Sequence, residues 1–274
     1  MNELLNNPAV QAGVVPFVVA FVAAALLHRT RFLGLAISAG VASAVFLVLG
    51  FSFESLTSVR KMILAGAVAT LLVLVLEGAK ARAKPAIRAV LALAAAAAAI
   101  WVISRVLQQL EMNSALLSGA GAALYLVVLV ESGNRIGGDT VRAASGALML
   151  GLASGVLALL GASASLAQLG IAAGASAGAV LLIQMLTGGY VPAGWTLALP
   201  VSVVAGLVGL LAVFTGGLPW YCLLPTLAIS WATCVVPAGK RPVWLTAFLT
   251  ALAALVPMLL AVALAWFTAG SSST

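Results

Sequence analysis

Apolar runs of nearly constant length follow one another along the whole chain, separated by short polar connections. A membrane-spanning helix needs about 20 mostly apolar residues, because each residue adds about 1.5 Å and the hydrocarbon layer is about 30 Å thick. We therefore expect an all-α polytopic membrane protein that forms a single transmembrane domain. The predicted spans are ten, at residues 9–27, 32–51, 60–77, 89–107, 114–131, 143–161, 166–186, 196–214, 219–237 and 243–267.

The composition supports a lipid environment. Of the 274 residues, 64% are hydrophobic and 7% are charged, and the mean hydropathy is +1.23. Soluble domains are about half apolar and about a quarter charged, so lipid has to cover much of this apolar surface. The net charge of +7 would suggest nucleic-acid binding in a soluble protein. Here the basic residues lie in short connections between apolar runs, and we expect no nucleic-acid partner.

The uneven distribution of lysine and arginine over these connections predicts the orientation of the chain. Counted from the amino terminus, the odd connections contain ten of the thirteen basic residues and the even ones contain three. Because short cytoplasmic loops are enriched in basic residues, we expect the odd connections in the cytoplasm. Both termini are then periplasmic or extracellular, and the location is the cell inner (plasma) membrane. The odd set is Arg29, Arg31, Lys80, Arg82, Lys84, Arg88, Arg135, Arg142, Lys240 and Arg241, and the even set is Arg60, Lys61 and Arg105.

A regular spacing suggests repeated helical hairpins. Glu131 follows Glu77 by 54 residues, Gln184 follows Glu131 by 53, and Pro237 follows Gln184 by 53. Each of these residues lies at the end of an odd-numbered span. Internal duplication is common in transporter folds and would give this spacing. A series of spans of equal size would give the same spacing without duplication, so both interpretations stay open.

The carboxylates at two span ends are the leading candidates for a polar site. Ionisable residues within a membrane are costly and are often functional, which directs attention to Glu77 and Glu131. Arg135 and Asp139 follow Glu131 at four-residue intervals, the spacing of neighbours on one helix face. The group is either an acid–base–acid site for coupling or a set of surface ion pairs, each worth less than about 1 kcal/mol. The glycines of residues 132–139 also predict a helix break, with Asp139 capping the next helix.

Two further ion pairs are predicted at the opposite face of the membrane. Glu54 lies near Arg60 in the second connection, and Arg105 lies near Glu111 around the fourth. Arg105 comes late in its span and can extend its side chain to the membrane surface. We expect these pairs to stabilise the structure.

A stripe of small residues predicts close helix packing in the second half of the chain. Gly170, Gly174 and Gly178 recur every four residues and therefore share one helix face, where a neighbouring helix can approach closely. A groove for a lipid tail is the alternative for this face. From residue 143 to residue 239 the chain has no charged side chain, and no acidic residue follows Asp139.

The sequence lacks the residue groups on which common membrane enzymes depend. One histidine, His28, and two cysteines, Cys222 and Cys234, do not make a metal site. There is no His-Glu-x-x-His motif. We therefore expect no metal, no cofactor and no catalytic residue, and a protein that is not an enzyme.

Two functions fit these features. The first is a secondary transporter or flippase-like carrier of a small or amphipathic solute, with Glu77 or Glu131 coupling transport and Arg135 as the opposite charge. The second is a non-catalytic subunit of a larger membrane complex that binds partner proteins, lipids or pigments. The expected partners are the bilayer lipids and, beyond them, other membrane proteins or further copies of the chain.

The orientation can be tested with reporter fusions. We expect a reporter that works only in the cytoplasm to be inactive at the carboxyl terminus, and one that works only outside to be active there. A fusion after Gly78, in a connection that is predicted to be cytoplasmic, is the control and should give the opposite pattern. A carboxyl-terminal reporter active in the cytoplasm would overturn the predicted topology.

Overall fold

A computed structural model describes residues 7–50, 56–78, 85–161, 163–188, 193–237 and 241–271. Within these ranges the secondary structure is helical, with no strand. Ten helical segments follow one another, and the ninth is broken into short pieces. They are α1 (Val10–Leu27), α2 (Leu35–Leu49), α3 (Ser58–Gly78), α4 (Pro85–Leu107), α5 (Met112–Ile136), α6 (Thr140–Leu160), α7 (Ala164–Thr187), α8 (Gly194–Gly216), α9 (Trp220–Val235) and α10 (Val243–Ser271).

Eight of these segments are long and apolar enough to cross a bilayer, and the chain has the architecture of a multi-pass membrane protein. The eight are α1, α3 to α8 and α10. Their bounds agree with the predicted spans to within a few residues, except that α5 continues past Glu131 to Ile136. The segments α2 and α9, both predicted as full spans, are shorter.

Backbone features explain why α2 and α9 are short. Gly50 ends α2 with a φ of +66°, a left-handed conformation that glycine adopts readily. The segment α9 consists of a 3-10 turn, Trp220–Cys222, and two short α-helices, Leu224–Leu227 and Ile229–Val235. Pro225 is the second residue of the Leu224–Leu227 helix. Its missing N–H prevents this helix from forming one continuous α-helix with the preceding turn.

The helix α8 lies at the centre of the bundle. It is apolar on all sides, and 94% of its most hydrophobic stretch is buried by the rest of the chain. The helices α3, α5, α6 and α7 pack around it. The outer helices present large apolar side chains to the surroundings, as a lipid-facing surface requires; examples are Leu71, Leu93, Leu117, Val256 and Trp266.

Glycines bring the backbones of α6 and α7 together. A Cβ added at Gly170 would lie 2.6 Å from the Cα of Gly155, and one at Gly174 would lie 2.9 Å from the backbone N of Leu152. A Cβ at Gly151 would collide with the backbone of Gly174. Gly178 differs, because a Cβ there would meet only the flexible end of Leu148, at 3.4 Å. Two of the three glycines in the predicted stripe therefore lie against the backbone of α6.

The glycine contact predicts a sharp difference between two alanine variants of α7. Gly170→Ala should lower the stability of the protein by about 1–3 kcal/mol, because the added methyl group meets backbone that cannot move aside alone. Gly178→Ala is the matched control and should leave the melting temperature nearly unchanged. Thermal unfolding of the detergent-solubilised protein measures both, and equal melting temperatures for the two variants would contradict this packing.

Candidate functional site

Polar side chains gather where α5 ends, and Glu131 is at their centre. Its carboxylate forms an ion pair with Arg88, which lies in the first turn of α4. Glu131 Oε1 is also 3.9 Å from Nε of Arg135, one turn further along α5, and Oε2 accepts a hydrogen bond from Nδ2 of Asn134 at 3.4 Å. Arg88 and Arg135 are each about half exposed. One carboxylate thus links α4 to the end of α5.

Arg135 also contacts the aromatic ring of Trp231. The Cζ of Arg135 lies 4.3 Å from the ring centroid, within the range of a cation–π contact. The indole Nε1 of Trp231 donates a hydrogen bond to Oγ of Ser132 at 3.0 Å. Because Trp231 belongs to α9, these contacts hold the last part of α9 against the end of α5.

Asp139 belongs to the start of α6 and not to the face of Glu131. Its Oδ1 accepts hydrogen bonds from the backbone N–H groups of Val141, at 3.0 Å, and Arg142, at 3.2 Å, so it caps α6 as predicted. Its Oδ2 lies 3.4 Å from Nε of Arg142, whose Nη2 donates to the carbonyl of Val236 at 2.9 Å. The predicted alignment of Glu131, Arg135 and Asp139 on one helix face therefore extends only to Arg135. The helix ends at Ile136, and the chain turns before Asp139.

Several connections meet at this end of the bundle, which we call the Glu131 end. The backbone N–H of Ala193 donates to Oγ1 of Thr140 at 3.2 Å, and the Trp195 ring packs directly on Gly137. Thr196 Oγ1 accepts from the N–H of Gly34 at 3.1 Å. The starts of α2, α6 and α8 are thus linked by short contacts.

Two buried polar residues also lie near the ends of their helices. Glu77, in the last turn of α3, is buried, and the basic residues that follow it, Lys80 and Arg82, lie outside the described residues. None of the described contacts of Glu131 involves Glu77. Gln184 in α7 is 3% exposed, and in the described part of the chain neither atom of its amide group has a hydrogen-bond partner.

At the opposite end of the bundle, Lys61 is buried between α3 and α4. The residue is 9% exposed. Its Nζ donates hydrogen bonds to the carbonyl of Trp101 at 3.1 Å and to Oγ of Ser104 at 2.8 Å, and it lies 5.6 Å from the centroid of the Trp101 ring. We call this the Lys61 end. In the sequence, Lys61 is only one of the three basic residues in the even connections.

Two ion pairs were predicted at this end, and only one of them lies wholly within the described residues. Glu54 lies outside the described residues, and Arg60 lies in the first turn of α3. Arg105 and Glu111 are both exposed, and no ion pair joins them among the described residues. Glu111 precedes α5 without capping it through its side chain.

Two apolar grooves flank α3. The α2–α3 groove has a volume of about 420 Å³ and reaches α7 and α8 at its base. Its polar groups are the hydroxyls of Ser38 and Thr70, which lie 3.1 Å apart, and Thr70 also donates to the carbonyl of Gly66 at 3.0 Å. These hydroxyls are satisfied within the protein, so the groove offers little to a polar solute.

The α3–α4 groove has a volume of about 390 Å³ and connects the two polar ends of the bundle. Its lining is apolar and includes Leu64 and Trp101 near the Lys61 end and Leu91 and Val130 near the Glu131 end. Alanines make up much of its α4 wall: Ala94, Ala95 and Ala98. The lining is therefore that of an apolar groove, with cationic side chains beyond each of its ends.

The link through Glu131 should contribute little to stability. Glu131→Gln is expected to cost at most about 1 kcal/mol, because both partners of its pair with Arg88 are partly exposed and water screens the attraction. Arg88→Gln should cost as much, and the double variant should cost no more than either single one if the two side chains act as a pair. Glu111→Gln is the control, since no described ion pair involves it. Additive losses in thermal unfolding would contradict the pairing.

No family model matches the chain, and no curated protein or solved structure matches it either. The contacts of the site itself are therefore the basis for assigning a function. These comprise an ion-pair cluster at the Glu131 end, a buried ammonium group at the Lys61 end, and an apolar groove that runs between them.

Proposed function

We propose that this protein is a flippase-like carrier of an amphipathic lipid, and that the lipid tail occupies the α3–α4 groove. The observation that carries the proposal is the distribution of polarity along this groove. Its wall on α3 runs from Leu64 to Val73, a length of about 14 Å at 1.5 Å per residue, and is apolar throughout. Cations lie beyond both ends. An anionic amphipathic lipid has the complementary distribution of polar and apolar groups.

Helix geometry places both cations on the groove side of their helices. Lys61 precedes Val68 by seven residues, and Arg88 precedes Ala95 by seven. Residues seven apart lie two turns apart on nearly the same face of a helix, and Val68 and Ala95 both line the groove. A lipid headgroup could therefore meet a cation at either end without leaving the groove.

The packing of α3 allows a movement that the proposal needs. The helix is the wall shared by both grooves, and it packs mainly on α8, where Gly66 faces Val204. A shift of α3 across α8 would widen one groove while narrowing the other. Glu131 is the coupling candidate, because protonation of its carboxylate would release Arg88 at the mouth of the α3–α4 groove.

We also propose that all ten helical segments cross the bilayer of the inner membrane, with both termini outside. The support for α2 is that it starts at the Glu131 end, where Gly34 meets Thr196, whereas α3 starts at the Lys61 end. For α9, the Trp220 ring packs edge-on against Phe214 at the end of α8, with centroids 5.4 Å apart, and Val236 contacts Arg142 at the Glu131 end.

A second candidate is a non-catalytic subunit that holds a lipid or pigment in a membrane complex. The tightly packed centre favours it, because α8 is almost wholly covered and both described grooves lie at its side and not across it. Purification from native membranes separates the candidates. A chain that always purifies with fixed partner proteins supports the subunit, and a chain that purifies alone supports the carrier. Neither candidate is an enzyme.

The carrier proposal predicts lipid translocation that depends on the open α3–α4 groove. Purified protein in liposomes should speed the transfer of a fluorescent phospholipid between leaflets, measured by chemical quenching of the outer leaflet. Ala98→Phe, which places a ring in the groove, should slow this transfer about tenfold or more. Here a barrier increase of about 1.4 kcal/mol corresponds to a tenfold change in rate.

Ala97→Phe is the matched control, because Ala97 is exposed and does not line the groove. It should translocate lipid at the wild-type rate. If wild-type protein moves no lipid, or if the two phenylalanine variants behave alike, the carrier proposal fails.

A further inference from the structure

Lys61 is a buried cation without an anionic partner in the described part of the chain. Lysine is almost never this deeply buried unless it is paired, because removing a charge from water is costly. Both hydrogen-bond acceptors of its ammonium group, the Trp101 carbonyl and the Ser104 hydroxyl, are neutral. Its charge is therefore stabilised by dipoles and by the Trp101 ring, and no carboxylate among the described residues neutralises it.

The ammonium group also retains unused bonding capacity at the end of the groove. It can donate three hydrogen bonds, and the described residues accept two of them. Trp101, over whose ring the Nζ lies, is itself part of the groove lining. An anion at the end of the α3–α4 groove would thus find a donor that is already held in place.

We infer that Lys61 binds the phosphate group of an anionic phospholipid whose acyl chain lies in the α3–α4 groove. The inference rests on the proposed function, from which it takes a lipid in this groove, and adds the headgroup and its site. Lysine binds phosphate as a point charge. Lys61 lies one helical turn before Leu64, where the apolar lining begins. Lys61 therefore precedes the apolar lining by about 4.5 Å along the helix axis. The charge and the lining follow each other in the same order as the phosphate and the acyl chain of a phospholipid.

The surroundings favour a membrane lipid over a soluble phosphate compound. The site adjoins apolar lining on the groove side, where a free phosphate ester would have no contact for its remaining polar groups. Trp101 is 42% exposed at the same level, as is typical of tryptophans at the membrane–water boundary.

Native mass spectrometry of the detergent-solubilised protein tests this inference. The probes are phosphatidylglycerol and diacylglycerol with identical acyl chains, so that the phosphate-bearing headgroup is what distinguishes them. Wild-type protein should bind phosphatidylglycerol about tenfold or more tightly, the factor expected for one charge-assisted hydrogen bond of about 1.4 kcal/mol. Lys61→Met should remove the preference, and Lys61→Arg should retain it. Arg105→Met, which removes an exposed charge at the same end, should also retain it.

A second measurement does not depend on any variant folding. In wild-type protein, phosphatidylglycerol should slow the reaction of Lys61 with an amine-directed reagent, mapped by peptide mass spectrometry, while diacylglycerol should not. Equal binding of the two lipids, an unchanged preference in Lys61→Met, or equal labelling would each overturn the inference. Displacement of phosphatidylglycerol by soluble glycerol phosphate would overturn the assignment to a lipid.

The outcomes separate this site from the carrier proposal. Lys61-dependent binding in a protein that moves no lipid between leaflets would support the headgroup site and remove the carrier. Translocation at the wild-type rate by Lys61→Met, together with unchanged phosphatidylglycerol binding, would keep the carrier and remove the site.

Discussion

Close packing, and not the burial of apolar surface, has to hold this bundle together. Lipid chains are as apolar as leucine, so a helix such as α8 gains little by leaving lipid for protein. What remains is van der Waals contact between the helices. This contact is closest at glycines, where no side chain separates the two backbones. Gly151 and Gly155 of α6 meet Gly170 and Gly174 of α7 at backbone distance, and Gly216 meets Gly161 where α8 ends. The helices α6, α7 and α8 pack closely against one another through these contacts.

The first half of the chain is packed differently, and most of the charged residues are found there. The helices α3, α4 and α5 are mostly exposed, and α3 stands between two grooves. Polar contacts confine these helices at their ends, through Glu131 with Arg88 at one end and Lys61 with Trp101 and Ser104 at the other. A closely packed half with few charged residues thus adjoins a more exposed half that carries most of the ionisable groups, as the proposed lipid carrier would require.

Hydropathy alone was enough to predict the eight long spans, because apolar length is a local property of the chain. Pro225 indicates a break in α9, whereas the glycines of α6, at residues 146, 151 and 155, are spaced less regularly than those of α7. The partners of charged residues could not be read in this way. Arg88 looked like one more basic residue in a connection, and Lys61 like an ordinary residue at a span end. The roles of Arg88 and Lys61 depend on which side chains of the neighbouring helices they contact in the folded protein. Hydropathy does not predict these tertiary contacts.

The shortness of α2 has a consequence for the membrane itself. Fifteen helical residues extend about 22 Å, well below the roughly 30 Å of an undisturbed hydrocarbon layer. Ala42 and Phe46 expose apolar side chains along this segment. In the proposed ten-span arrangement, lipids against α2 would have to shorten or tilt their chains to match it, at a modest cost for each ångström of mismatch. The bilayer would then be thinner on the flank where the α2–α3 groove lies, so its two polar surfaces would come closer together beside this groove.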